Sequence, residues 1–363
     1  MSVVVSRNNS LELLRFGAAL SVLYGHLVWS ATYATDISDF VGSVKLPLIP
    51  EDTHSLWQFQ SSYGAITHGG NITAVGIAIF FLITGWLTPD LMERYQRKAY
   101  LINRFFRIMP LLVFATLLSA AIIRAIGGTM PVTWLGLLGT STTLYREIGI
   151  PVLLPVVWTL AIELKFYVLS FAIGRWNTRK LIWTTLGCLV AYFLSIYLGG
   201  SLLILAHDLH FILFILVGIS LRLVVNQQVV IPVIVTMISF NLSRLDYALS
   251  AIQPHQDFNL STQVIAITVF LICLYNSSRI SNHVRPWANL TYSLYLLHLM
   301  PGFCLVYLLR DYTSSTIAVC FALLVIFLLA AFSYRYIELP FIRLGKKLLR
   351  VTWHSRRFRT ENN

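Results

Sequence analysis

LELLRFGAALSVLYGHLVWS, residues 11–30, is apolar at all but a few positions, and those few decide how it is read. At about 100° per residue, the eleven steps from Arg15 to His26 make almost three turns. Both side chains therefore fall on one helix face with Glu12, Ala19 and Val22, about 16 Å apart along the axis. About twenty mainly apolar residues are what a helix needs to cross the hydrocarbon of a bilayer. Within it, the stripe holds a charge at one end and an imidazole at mid-depth, which lipid alone does not tolerate. Such a span must face protein or a wet cavity, and its ionisable residues are functional-site candidates.

The rest of the chain follows this reading. Hydrophobic residues make up 57% of the 363 residues and charged residues 12%, with a mean hydropathy of +0.72. A soluble domain carries about twice that charge. The pattern predicts an all-α, polytopic membrane helix bundle of about ten spans, near 11–31, 72–90, 102–125, 152–173, 180–199, 202–223, 229–248, 261–277, 287–309 and 314–337. His207, Asp208 and His210 interrupt the sixth. The first apolar run begins too close to Met1 for a cleavable leader and reads as a retained span. Two parts are expected: a transmembrane domain over 1–340 and a basic tail over 341–363.

Charge in the connections sets the orientation. Alternate segments, from Arg7 through Arg94–Arg107, Arg175–Lys180, Arg222 and Arg279–Arg285 to the tail, hold 21 of the 27 Lys and Arg residues. Both termini are therefore expected in the cytoplasm. The net charge of +12 marks topology and attraction to the anionic headgroups of the lipid bilayer. Spread over several edges with no recognition motif, it gives no sign of nucleic-acid binding. Cys188, Cys273, Cys304 and Cys320 all sit in apolar runs without metal-site spacing, so no metal is expected. The first outer connection, 32–71, contains His54, Trp57, Tyr63 and His68 and reads as either a substrate lid or a surface cap. After Pro340, basic residues alternate with Leu344, Leu348 and Leu349 as in a short amphipathic helix on the inner leaflet.

Other polar groups recur inside apolar runs. VWTLAIELKFY, residues 157–167, sets Thr159, Glu163 and Tyr167 on one face, with Lys165 on another. Thr291, Tyr295 and His298 share a face of the ninth span. RFFRIMP, residues 104–110, opens the third span with Arg104 and Arg107 at i and i+3. Two guanidiniums so placed suit a phosphate or pyrophosphate, since each can fork onto two oxygens; they also suit plain membrane anchoring. Glu338, beside Arg335, closes the last span. A scaffold has little reason to bear the desolvation cost of two histidines, a glutamate and an arginine within the membrane.

In order along the chain, LELLR through His26 resembles the Leu-Asp-x-Leu-Arg, ten residues, His opening of the membrane acyltransferase 3 family. FFLITGWL (80–87) resembles its Phe-Phe-x-x-Ser-Gly-Phe-Leu segment. Arg104-x-x-Arg107, Trp158-Thr-Leu-x-x-Glu163-x-x-Phe166-Tyr167, Tyr292-Ser-Leu-Tyr295-Leu-x-His298 and Ile337-Glu338-x-Pro340 are similar to four further elements. Together they extend over about 330 residues. Glu12 replaces the usual Asp and Thr84 the usual Ser, and the long first outer loop is a further departure.

The resemblance implies an O-acyltransferase that moves an acyl group, often acetyl, from a cytoplasmic acyl-CoA such as acetyl-CoA. The implied acceptor is a hydroxyl of a cell-envelope glycan or glycolipid, and the implied place a bacterial cytoplasmic membrane. Arg104 and Arg107 would hold the donor's phosphates, with the thioester end reaching His26. His26, with an ordinary pKa near neutrality, suits a general base; an acyl-imidazole is the other route. Arg15, Glu163 and His298 complete the expected catalytic set, with Arg15 orienting the donor or a carboxylate and Glu163 fixing the tautomer of one histidine. Without an appended domain, the chain is expected to act alone or through a separate extracytoplasmic relay protein. The rival is a transporter or flippase binding a polar solute among the same charges, against which the lack of a visible internal repeat counts.

Overall fold

The computed structural model describes residues 9–29, 71–127, 132–227, 230–245, 259–276, 281–309 and 312–360, and the regular structure within them is helical. His54, Trp57, Tyr63 and His68 lie outside the described residues. The first helix, α1 (Asn9–Tyr24), ends in a π turn at Gly25–Trp29. Then come α2 (Ile72–Arg94), α3 (Arg97–Ala125), the short α4 (Trp134–Thr142), α5 (Val157–Ile173), α6 (Thr178–Leu198), α7 (Leu202–Gln227), α8 (Ile231–Leu245) and α9 (Leu260–Tyr275). A turn of α10 (Arg285–Asn289) leads into α11 (Thr291–Leu297) and α12 (Leu299–Leu309). Finally α13 (Ser315–Ser333) passes through a second π turn, Tyr334–Glu338, into α14 (Leu339–Thr360).

Among the described residues, five stretches are long and apolar enough to cross a membrane: α2, α3, α6, Leu202–Val225 of α7 and Thr316–Leu349. The bent pair α11–α12 makes six if it counts as one span. Shorter helices, α1 with its π turn, α5, α8 and α9, lie on the remaining expected spans. The chain is thus a multi-pass membrane helix bundle. Large apolar side chains such as Trp183, Val190 and Leu194 on α6 and Leu324, Leu328 and Phe332 on α13 point outward. Lipid accepts them without cost, while the helices satisfy their own backbone groups.

At the centre stand α2 and α7, which touch each other closely, with α1 and α9 against α2 and with α6 and α8 against α7. Association between apolar helices in lipid depends on close approach, because hydrocarbon is as good a solvent as a leucine side chain. Gly85 and Gly218 supply that approach. A Cβ on Gly85 would run into the Ile215 carbonyl, and one on Gly218 into the Leu82 carbonyl. Gly76 does the same for α1, lying against Ser21 and the Ala18 carbonyl.

Three features depart from regular spans. The ninth span was expected as one helix over 287–309, but α11 and α12 meet at His298 with a bend of 54°. Pro301 accounts for it: proline lacks the N–H that would bond the Leu297 carbonyl, and its ring crowds that carbonyl. After Pro340, the helix is not a separate element but continues α13 through the π turn and packs on α3, with Gly345 against the Phe106 ring. Third, the connection before α5 enters the bundle, burying Leu153 and Leu154. Ion pairs hold it there. Asp208 of α7 is fully buried and accepts from Lys165 and from Arg146 Nη1 at 3.4 Å; Lys165 also pairs with Glu147. His207 Nδ1 lies 3.2 Å from Asp208 Oδ1, and His210 Nδ1 lies 2.8 Å from Ser243 Oγ of α8. The three polar residues that interrupt the sixth apolar run are thereby matched by partners.

Gly85→Ala and Gly218→Ala are expected to lower the unfolding midpoint of the protein in detergent, since overpacking costs about 1–3 kcal/mol. Gly187→Ala, whose Cβ meets nothing within 4 Å, is the control and is expected to leave the midpoint unchanged or raise it slightly. Equal midpoints for all three would show that the α2–α7 contact does not hold the bundle.

Candidate functional site

A cavity of about 610 Å³ opens among α1, α2, α3, α5, α11 and the second π turn, a size in the usual range for small-molecule sites. Six separated stretches of sequence line it: Glu12 and Arg15; Phe80, Phe81 and Thr84; Arg104, Arg107 and Ile108; Thr159, Leu160, Glu163 and Tyr167; Tyr292 and Tyr295; Glu338 and Leu339. At the end where the basic helix termini lie, Arg94 and Lys346 join them. Five cationic side chains and four carboxylates thus share the lining, and Asp90 among the carboxylates already accepts from Arg222 Nε at 3.0 Å. The cavity keeps a positive excess, which suits an anionic ligand.

Arg104 is the most demanding member of this set. It is buried, with its guanidinium carbon 4.9 Å from the centre of the Tyr167 ring and 5.6 Å from that of Tyr100. Aromatic faces attract the cation but leave its in-plane N–H groups to find acceptors. Arg104 Nε has no hydrogen-bond partner among the described residues. A buried charged donor left so is costly until an anion arrives. Tyr100, one turn before Arg104, was not singled out from the sequence; an aromatic residue four positions from a buried arginine is the signal that marks it.

Glu163 shares Tyr167 with Arg104. Thr84 Oγ1 donates to its Oε1 at 2.6 Å and the Tyr167 hydroxyl to its Oε2 at 3.3 Å. The carboxylate is therefore met by hydroxyl groups of α2 and α5, and among the described residues the expected tautomer-fixing contact to a histidine is not found. Thr84 keeps the hydroxyl of the usual Ser at its position, so that departure preserves the bond. Glu338 likewise accepts from Ser293 Oγ at 3.0 Å, while Arg335 lies over the Tyr336 ring rather than pairing with it. Tyr292 donates to the Ile108 carbonyl at 2.8 Å, tying α11 to the arginine-bearing helix.

Away from Arg94 and Lys346, the lining includes Ile77, Phe80, Thr159 and Tyr295. The Thr159 and Tyr295 hydroxyls are 2.7 Å apart, and the Phe80 ring meets the Tyr295 ring edge to face. Just beyond are the two expected histidines, neither of which lines the cavity. They find each other: His26 Nδ1 is 2.8 Å from His298 Nε2, and the Tyr295 and His298 ring centres are 6.1 Å apart. His298 is fully buried, whereas His26 is partly exposed. The structure therefore brings Arg15, Arg104, Arg107 and Glu163 to one cavity and His26 and His298 to one pair, with Tyr295 touching both the cavity and the His298 ring.

Residues 8–335 match the family model described as an acyltransferase domain. No curated protein and no solved structure matches the chain. With a match over most of its length, and with the segments that carry the likeness gathered around one cavity, the chain belongs to the acyltransferase 3 family and is a multi-pass membrane acyltransferase.

Proposed function

We propose that the protein is an O-acyltransferase that takes an acyl group, acetyl in the simplest case, from a cytoplasmic acyl-CoA and delivers it to a hydroxyl of a cell-envelope glycan or glycolipid. The setting proposed is a bacterial cytoplasmic membrane, with the basic end of the bundle facing the cytoplasm as the distribution of Lys and Arg favours. The observation that carries this reading is the cavity itself. Its cationic excess and the unpartnered Nε of buried Arg104 fit a ligand with several phosphate oxygens. Guanidinium is the side chain best shaped to hold such oxygens in pairs.

Arg104 and Arg107 hold the donor's phosphates in this scheme, with Arg15 deeper in the same lining and Arg94 and Lys346 at its basic end. The thioester end extends toward Tyr295, the last residue before the imidazole pair. His26 removes the proton of the acceptor hydroxyl as its oxygen attacks the thioester carbonyl. The C–O bond forms, the C–S bond breaks, and the proton passes from His26 to the departing thiolate. Glu163, already met by Thr84 and Tyr167, supports the wall on which Arg104 lies and takes no proton.

Protein reconstituted in liposomes with labelled acetyl-CoA and a crude envelope extract as acceptor tests the reading. His26→Ala is expected to lower CoA release and label transfer by about 10²-fold or more, and near-normal turnover would overturn its role. Arg104→Ala with Arg107→Ala is expected to weaken acetyl-CoA binding by about tenfold to a hundredfold, on the scale of charge-assisted hydrogen bonds of about 1.5–3 kcal/mol. Direct binding to the liposomes measures it. Wild-type protein that binds no acyl-CoA would move the reading to another donor or to passage of a polar solute.

A further inference from the structure

The imidazole pair carries more than the presence of two histidines. His298 Nδ1 is 2.9 Å from the Tyr295 carbonyl oxygen and 3.2 Å from that of Leu294. Carbonyl oxygens only accept, so His298 Nδ1 is a donor and carries a hydrogen. The bend at His298 permits this, for the side chain turns back onto the end of α11 where Pro301 interrupts the regular ladder.

One hydrogen then lies between His298 Nε2 and His26 Nδ1. The two ring planes are within 8° of each other, and their centres are 5.1 Å apart for a nitrogen separation of 2.8 Å. The difference is about two imidazole ring radii, so the rings meet edge to edge with the bond along the line of centres. If the hydrogen belonged to His298, that ring would be an imidazolium with no exposed surface. Among the described residues, the groups acting on it are His26 and the two carbonyls, with no carboxylate. An unpaired buried charge is the costly alternative. The hydrogen therefore belongs to His26, and neutral His298 accepts it.

We infer that His298 is a positioning residue, not a catalytic one: it holds His26 as the Nδ1-protonated tautomer and makes His26 Nε2 the nitrogen that takes the acceptor's proton. This rests on the reaction proposed above and changes the sequence-based expectation that both histidines act directly. His298 is fully buried whereas His26 is partly exposed, so substrate contact falls to His26. The arrangement has the logic of a base oriented by a hydrogen-bond acceptor on its other nitrogen, with a neutral imidazole in the orienting place. In the transfer step, the acceptor's O–H bond breaks and its proton binds Nε2, while Nδ1–H stays on His298. As the C–S bond breaks, the thiolate sulfur takes the proton from Nε2 and the tautomer is restored.

The test uses full-length protein in liposomes, with all nine histidines labelled with nitrogen-15 and the His26 signals found by difference against His26→Gln. The expected spectrum shows His26 with a protonated Nδ1 and a bare Nε2. In His298→Leu that preference is expected to vanish. The same variant is expected to lose about 10²-fold in kcat for acetyl transfer with the acetyl-CoA KM unchanged. His298→Gln, whose carboxamide oxygen accepts the same N–H, is expected to recover at least about tenfold of that loss. A wild-type spectrum with Nε2 protonated, equal rates for the Leu and Gln variants, or undiminished kcat in His298→Leu would each overturn the inference. Because the spectrum needs no turnover, a wild-type protein with the expected tautomer and no acyl transfer would sink the proposed reaction alone.

Discussion

A charged or hydrogen-bonding group surrounded by hydrocarbon must find a partner or a wet space, and the bundle is ordered by that demand. Glu163 of α5 is met by Thr84 of α2, Asp208 of α7 by Lys165 of α5 and Arg146 of the preceding connection, and Glu338 by Ser293 of α11. Each bond joins elements distant in sequence. In a medium that gives apolar surfaces no reason to associate, such bonds set which helix faces which, while Gly85 and Gly218 set how closely the central two can lie. Arg104 differs from these charged groups, cushioned by two tyrosine rings but with Nε unpartnered among the described residues. At Arg104 the unmatched donor lies beside the cavity.

Irregular backbone delivers the polar groups to that region. The π turn at Gly25–Trp29 contains His26, the 54° bend falls at His298, and the π turn at Tyr334–Glu338 ends on Glu338. In a straight helix each backbone carbonyl already receives an N–H from four residues on. A break alters that pattern and re-aims the side chains at it, which is why π turns recur at functional sites. At His298 the effect is concrete: the Tyr295 carbonyl bonds the imidazole, and the ring is held at the orientation that meets His26. Proline at position 301 thus matters for the site through the bend in the backbone.

How far the sequence shows this depends on whether a feature is local. Apolar runs revealed the helices, and the four-residue spacing of Glu163 and Tyr167 revealed a shared face that the structure turns into a hydrogen bond. Arg15, Arg104, Arg107 and Glu163 were picked out because charge is rare in such runs, and they line one cavity. Cross-helix partners are another matter. Nothing local tells that Glu163 meets Thr84 and not an imidazole, or that His26 and His298, 272 positions apart, share a bond. Pro301 is a local signal for the bend in the ninth span, but the expectation of one helix over 287–309 rested on the apolar run alone. The continuity of α14 with α13 was hidden for the opposite reason, since Pro340 reads as a stop and yet lies in a helix that passes through a π turn.

The layer between the cavity and the imidazole pair gives the architecture its chemical sense. Phe80, Tyr295 and Thr159 stand between the cavity and the histidines, held by the hydroxyl–hydroxyl bond, by contacts of both hydroxyls to the Val156 carbonyl at 3.3 Å and by an edge-to-face ring contact. Under the proposed reaction, a thioester waiting in the cavity is kept from the base, and the base is kept from spending it on water. Excluding water until both substrates are in place is a general need of transfer enzymes, because hydrolysis competes with every acyl transfer. A neutral hydrogen bond of this kind contributes about 0.5–1.5 kcal/mol, weak enough to open on binding and directional enough to close again. Tyr295 has a double place in this scheme, since its side chain ends the donor cavity while its backbone carbonyl holds His298. Movement of its ring need not disturb the carbonyl, so the barrier can open without loosening the base behind it.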